Sequence, residues 1–185
     1  MMDMTAEGTR EIVLDNDALL IEQVLTPYFK HARYLKSAIV KGNGDPAAGK
    51  GKISASCLFE IPESCYIKDT GHFNSVEFNI CYNQMMYYVV AMSVKHQLMG
   101  IFHHWQMKDY FDKQLPDILI LNFKSHFKAP LHARRLLAEI DFIKTKIVNK
   151  NNPLAFIKTQ CRFYDDEKSG YAEGDVDLVI TNINL

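Results

Sequence analysis

Between Ser75 and Val94 the chain has no glycine and no proline, and its apolar residues fall on every side of a helical wheel: Val76, Phe78, Ile80, Cys81, Met85, Met86, Val89, Val90, Met92 and Val94. A helix that is apolar all round is buried all round, so the pattern predicts a long central helix over about 74–95. Asp15 to Leu25 differs, with one apolar stripe of Leu20, Ile21, Val24 and Leu25 closed by Pro27. That stripe predicts a short amphipathic helix laid on a surface, with Asp15 or Asp17 as its cap. Alternation at period two predicts strands over 34–41, 54–61, 118–128, 135–150, 154–164 and 171–180, and a short helix over 108–114 stopped by Pro116. Phe123, Ser125 and Phe127 alternate with Lys124, His126 and Lys128. Ile140, Phe142, Lys144 and Lys146 are expected on one face, with Asp141, Ile143, Thr145 and Ile147 on the other. Short turns between successive strands imply an antiparallel sheet. The order is helix, two strands, buried helix, then four or five strands, which is an α+β chain.

Composition narrows the class. The chain has 185 residues, 48% hydrophobic and 23% charged, with net charge −1. This reads as a flexible N-terminus over 1–14 and a single domain over 15–185, large enough to bury roughly 70% of its unfolded surface. The neutral balance speaks against nucleic acid. No apolar run is long enough for membrane insertion, and without a basic start followed by an apolar core no signal peptide is expected. Cysteines 57, 65, 81 and 161 show neither CxxC nor metal spacing and read as reduced thiols, so a cytoplasmic location is expected. His103 with His104, and His126 with His132, lack the helical spacing and third ligand of a metal site. Gly44, Gly49 and Lys50 nearly match a phosphate loop, but Gly51 stands where the metal-binding hydroxyl belongs and a strand follows, so 42–51 reads as a hairpin turn. Met85, Met86 and Met92 suit a core or the wall of a tunnel for an apolar chain. Lys144, Lys146 and Lys150 suit a solvated face or a docking patch for an acidic partner or phosphates.

The chemistry gathers where the central helix begins. Tyr66, Asp69, His72 and Asn74 surround Gly71, and the greasy helix then carries Glu77, Asn79, Asn83 and Gln84. A helix start offers unpaired backbone N–H groups and a positive dipole end, which suits an oxygen gaining negative charge. Asn74 is placed to cap that start and to touch substrate. His72 and Glu77 are the titratable groups nearby, and burial is expected to raise the Glu77 pKa.

Tyr66 and Ile67, Thr70 to Asn74, Val76 and Glu77, and Asn83 and Gln84 resemble the motif of FcoT-type thioesterase-like proteins. The similarity reaches back to Pro27, Tyr28, Arg33, Tyr34 and Leu35, and forward to Trp105, Asp109, Tyr110, Gln114, Leu115, Ser125, Phe127, Pro130 and Leu131. The resemblance implies a hot-dog fold, a sheet wrapped round a central helix. It implies substrates that are fatty acyl thioesters on CoA or acyl carrier protein, and a homo-oligomer, a dimer or larger, with sites shared between copies. It also implies one of two activities. The first is addition of glycine to an α,β-unsaturated acyl-carrier-protein thioester, a step towards isonitrile lipopeptides. The second is hydrolysis of long-chain acyl-CoA. The residues matching the family's proposed site are Tyr28, Tyr66, Asn74 and Asn83.

Either reaction builds charge on the thioester oxygen and needs preorganised donors there. The expected catalytic set is Tyr66, His72, Asn74 and Glu77, with amides from His72 to Ser75. Tyr28, Arg33 and Asn83 are the expected substrate-binding residues. Arg33, with Lys128 behind it, is the expected partner of the glycine carboxylate. No metal or redox cofactor is called for, and the absence of G-x-S-x-G excludes an α/β-hydrolase triad. Glycine addition is the leading expectation, hydrolysis the alternative, and a non-catalytic acyl-binding module the third.

Overall fold

The computed structural model describes residues 11–43, 52–68, 71–132, 134–149, 151–165 and 170–183. The tip of the 42–51 turn, Asp69, Thr70 and Lys150 lie outside these residues. Seven strands form one sheet: β1 (Ile12–Leu14), β2 (Leu35–Asn43), β3 (Lys52–Glu60), β4 (Ile118–Phe127), β5 (Arg135–Val148), β6 (Leu154–Tyr164) and β7 (Tyr171–Ile180). The order across the sheet is β1-β2-β3-β5-β6-β7-β4, and every neighbouring pair is antiparallel. Three helices accompany it: α1 (Ala18–Val24), α2 (Ser75–Lys95) and α3 (Met107–Lys113). Asp17, not Asp15, caps α1 by accepting the Leu20 N–H, and Leu20, Ile21, Val24 and Leu25 are all buried as the stripe requires.

Helix α2 meets the sheet from end to end. The Gln84 Oε1 accepts the N–H groups of Tyr34 and Leu35, and its Nε2 donates to the Ala32 carbonyl at 2.6 Å, so the entry to β2 is tied to the helix. The Tyr82 hydroxyl lies 2.7 Å from Thr159 on β6. Phe78 packs against Phe163 of β6 and Phe123 of β4. These partners lie from β2 to the far edge, so the sheet curves round the helix in the expected hot-dog arrangement. Leucine-sized and aromatic side chains buried along this rod contribute roughly 1.5–3 kcal/mol each.

Three details differ from the sequence reading. Ile12–Leu14 is not part of a loose tail: it pairs with 40–42 as β1, so the ordered domain starts before residue 15. The face predicted for β5 holds only as far as Phe142. A register shift between Phe142 and Lys144 marks a bulge, whose extra residue turns the following side chains over. Lys144 and Lys146 are therefore exposed, off the face that buries Ile140 and Phe142. Finally, α2 is not covered all round. Val76, Asn79, Ile80 and Asn83 form a side of its first turns that no strand among the described residues covers, with Val76 39% exposed.

Candidate active site

The amino end of α2 is built by local rules. Asn74 adopts extended backbone, and its Oδ1 accepts the N–H groups of Val76 (3.0 Å) and Glu77 (3.2 Å). The Glu77 carboxylate reaches back to accept the Asn74 N–H at 3.3 Å, completing a capping box. The Phe73 N–H is taken by the Leu131 carbonyl at 2.9 Å. The expected row of open amides is thus largely consumed by the protein itself. Of the amides from Phe73 to Glu77, only that of Ser75 has no partner among the described residues.

A cavity of about 690 Å³ opens at this end. One side is His72, Phe73, Asn74 and Ser75; the other is Phe127, Lys128, Ala129 and Pro130, where β4 runs out into its following loop. His72 is exposed and Asn74 half-buried. Lys128 pairs with Glu173 of β7 at 3.1 Å, both side chains being near 40% exposed. The wall is held by β7: the N–H groups of Lys128 and Ala129 both donate to the Tyr171 carbonyl. Gly170 packs so closely there that a Cβ would lie 2.0 Å from the Pro130 carbonyl oxygen.

Two of the expected catalytic residues, His72 and Asn74, line this cavity, and Lys128 joins them. The other five expected site residues, Tyr66 and Glu77 of the catalytic set and Tyr28, Arg33 and Asn83 of the substrate-binding set, do not. Glu77 is 1% exposed and acts on the cavity only through the Asn74 backbone. Tyr66 lies on an exposed loop anchored one residue earlier, where Cys65 adjoins the buried Tyr34 phenol, whose hydroxyl donates to the Glu63 carbonyl at 3.3 Å. Burial and that thiol push the Tyr34 hydroxyl above its ordinary pKa.

Tyr28 sits against a different part of α2. Burial pushes its phenol above its ordinary pKa, with Tyr87 and Cys81 beside it adding to the rise. Arg33 is committed to this loop, its Nε donating to the Tyr28 carbonyl and its Nη2 to the Thr26 carbonyl. Asn83 donates to Asn79 one turn back, at 2.9 Å, on the uncovered side of the helix. Asn83 is about two and a half turns from Asn74, roughly 13 Å along the axis.

Sequence reasoning named the amides from His72 to Ser75 but passed over Phe127, Ala129 and Pro130 as parts of the same site. The Ala129–Pro130 break was visible only as the end of a strand. Its position opposite the helix start depends on β4 lying next to β7, which no local pattern encodes. Among the described residues no cluster of His, Cys, Asp and Glu could hold a metal ion, and no helix is long and apolar enough to cross a membrane.

The (2E)-enoyl-[ACP] glycyltransferase of Streptomyces coeruleorubidus is 44% identical over 169 residues, spanning 90% of this chain and 98% of that protein. The protein of the same name from Mycobacterium marinum is 32% identical over 177 residues, 95% of this chain and 90% of its own length. A thioesterase structure from Lactococcus lactis aligns with a TM-score of 0.47 at 11% identity, over 80% of this chain and 94% of that one. Residues 23–180 match the FcoT-like thioesterase domain, and the chain belongs to that family.

Proposed function

We propose that the protein is an enzyme adding glycine across the double bond of a 2-enoyl thioester carried by acyl carrier protein. The observation that carries this reading is the cavity at the amino end of α2. It sets an apolar wall for an acyl chain beside His72, Asn74, the Ser75 amide and Lys128. The two glycyltransferases, aligned over nine-tenths or more of their own lengths, support it.

In this reading the glycine nitrogen bonds to C3 of the enoyl group. The C2–C3 π electrons move through to the thioester oxygen, which becomes an enolate. The Ser75 N–H and the Asn74 carboxamide hold that oxygen, and the helix dipole favours its charge. His72 takes the proton that the glycine ammonium must lose, and C2 receives a proton as the enolate collapses. The carbon–sulfur bond stays intact, so the product is a 3-(carboxymethyl)amino acyl thioester. Lys128, not Arg33, is the cation on the cavity and takes the glycine carboxylate. Glu77 positions Asn74. Asn83 lies on the uncovered side of α2, where a second copy of the chain in a homo-oligomer completes the substrate path together with the loops that carry Tyr66 and Tyr28.

The test is to incubate the protein with a 2-enoyl thioester on carrier protein or CoA, with and without glycine, and to follow intact mass. A gain equal to glycine with the thioester retained supports addition. Free acid that forms regardless of glycine replaces it with hydrolysis, and binding without turnover replaces both with an acyl-binding module. Sedimentation at several concentrations reads the oligomer; a monomer throughout removes the second copy from the site.

A further inference from the structure

The side of α2 that no described strand covers carries one polar row. Ser75, Asn79 and Asn83 recur every fourth residue, so they line up along it. Ser75 belongs to the cavity wall, and Asn83 is roughly 12 Å further along the axis. Asn79 and Asn83 are half-buried and bond to each other at 2.9 Å. That bond uses the Asn79 oxygen and one Asn83 hydrogen. Among the described residues it leaves the Asn79 amide hydrogens and the Asn83 oxygen to meet another amide. The next position in the row is Tyr87, and Tyr28 stands beside it.

Tyr28 opens a basic segment. Lys30, His31, Arg33 and Lys36 fall within seven residues, and no aspartate or glutamate lies between Glu22 and Asp45. Among the described residues none of the four pairs with a carboxylate: Arg33 donates to the carbonyls of Tyr28 and Thr26, and Lys36 to that of Arg33. Glu60 and Glu63 each meet Tyr34 through their own backbone only. The Gln84 side chain holds Ala32, Tyr34 and Leu35 against α2, so the segment is presented on a fixed frame. Phe29 is 79% exposed, its ring parallel to that of His31 at 5.9 Å. Large apolar rings are anchors where proteins meet, and unpaired charge beside them selects a partner of opposite sign.

We infer that residues 29–36 are the docking surface for the acyl carrier protein, and that the row of Ser75, Asn79 and Asn83 is the track along which its phosphopantetheine arm reaches the cavity. The inference rests on the functional reading above and adds where the carrier binds. The arm has an anionic phosphodiester at its root and amides along its length. The cations of the segment suit the phosphodiester and acidic side chains around it; the asparagines suit the amides. The other basic patch is too far away to serve. Phe127 at the cavity pairs with Ala172, whereas Lys146 pairs with Phe156 and Phe156 with Val179, seven residues or roughly 23 Å along β7.

The experiment uses the full chain and one 2-enoyl group on acyl carrier protein, on CoA and on bare pantetheine, at saturating glycine. Lys30→Glu combined with Lys36→Glu should lower kcat/KM for the carrier-protein substrate by about tenfold or more, through KM, and leave the pantetheine substrate unchanged. Phe29→Ser should act in the same way but more weakly. Added salt should weaken the native preference for carrier protein and leave the double variant flat. A fall on CoA as large as on carrier protein, a fall on pantetheine as well, or no fall at all overturns the docking surface. Asn79→Leu should lower kcat/KM on all three substrates alike by about three- to tenfold, the worth of one hydrogen bond; no change there overturns the track. A saturated acyl carrier protein, which cannot react with glycine, is titrated by calorimetry. If no glycine is added to any substrate, yet the native protein binds this carrier and the double variant does not, the functional reading fails and the docking surface stands. If glycine is added and the double variant uses the carrier-protein substrate as well as the native protein does, the function stands and the docking surface fails.

Discussion

The two ends of α2 belong to one unbroken helix, yet they do opposite work. From Met85 to Val94 every side chain is buried, and even the Ser93 hydroxyl turns back onto the Val89 carbonyl at 2.7 Å. This half is a rod fixed inside the sheet. The amino half has Val76, Asn79, Ile80 and Asn83 on an uncovered side, and its first amides face a cavity. A helix end is a useful electrostatic tool only where it cannot move, because donors that must reorganise lose much of their effect. The buried half supplies that fixity. The same comparison shows the limit of the tool: the capping box that stabilises the end also occupies the Val76 and Glu77 amides. What remains for a substrate is the Ser75 amide and whatever side chains surround it.

The comparison predicts a separation of effects. Met85→Ala in the buried half should cost about 2–5 kcal/mol of stability, read by denaturant unfolding, with kcat/KM of the folded protein little changed. A tenfold fall in kcat/KM at full folding would mean the rod shapes the site directly. At the amino end, Asn74→Asp keeps an oxygen for the cap and removes the carboxamide N–H. It should lower kcat by about 10²–10³-fold with stability nearly unchanged, whereas Asn74→Ala should add about 1 kcal/mol of destabilisation. Equal activity in Asn74→Asp and the native protein would leave Asn74 as a cap alone.

Titration probes the core packed round the helix without changing a side chain. Cys57 and Cys161 are both pushed up to about 12 by burial, from an ordinary thiol value of 9.0. The folded protein therefore keeps protons that the unfolded chain releases. Their contribution is complete below pH 9 and is lost as pH rises towards 12. Each thiol should steepen the alkaline loss of stability by about 1.4 kcal/mol per pH unit, and Cys57→Ala should flatten it.

The smallest effect belongs to the carboxyl end of the rod, where Lys95 pairs with Asp17 at 2.5 Å. The hydrogen bond from Lys95, then that from the Leu20 amide, hold the Asp17 carboxyl below its ordinary value of 3.8. Its contribution is present above about pH 4 and fades as pH falls below that. Because Lys95 is 44% exposed, Lys95→Ala should cost only a few tenths of a kcal/mol at neutral pH, visible as a small shift in the unfolding midpoint that vanishes in acid.

Much of this was legible along the chain. The all-apolar run from Val76 to Val94 foretold the buried helix, and Asn74 followed three residues later by Glu77 foretold its cap. These are local rules: a helix places neighbours by a fixed period, and a cap needs only the next turn. Alternation located all the strands from β2 to β7. It failed at Lys144 and Lys146, because the bulge after Phe142 comes from pairing with β6 and leaves no mark in the residues of β5. The site was half legible. His72 and Asn74 were found because they precede the helix directly. Glu77, also local, was found but faces inward, and the commitment of Arg33 to the carbonyls of Tyr28 and Thr26 could not be read from its charge.

Sequence alone determined which segments would be helix and strand, β1 excepted, and that His72 and Asn74 would stand at the start of α2, because those depend on residues within a turn or two of one another. Only the tertiary structure decided that β4 would lie beside β7. That pairing carries Phe127, Lys128 and Pro130 to the helix start, and it puts Gly174 of β7 under Phe78. Such placements rest on packing between segments far apart in the chain, and neither partner carries the other's position in its own pattern.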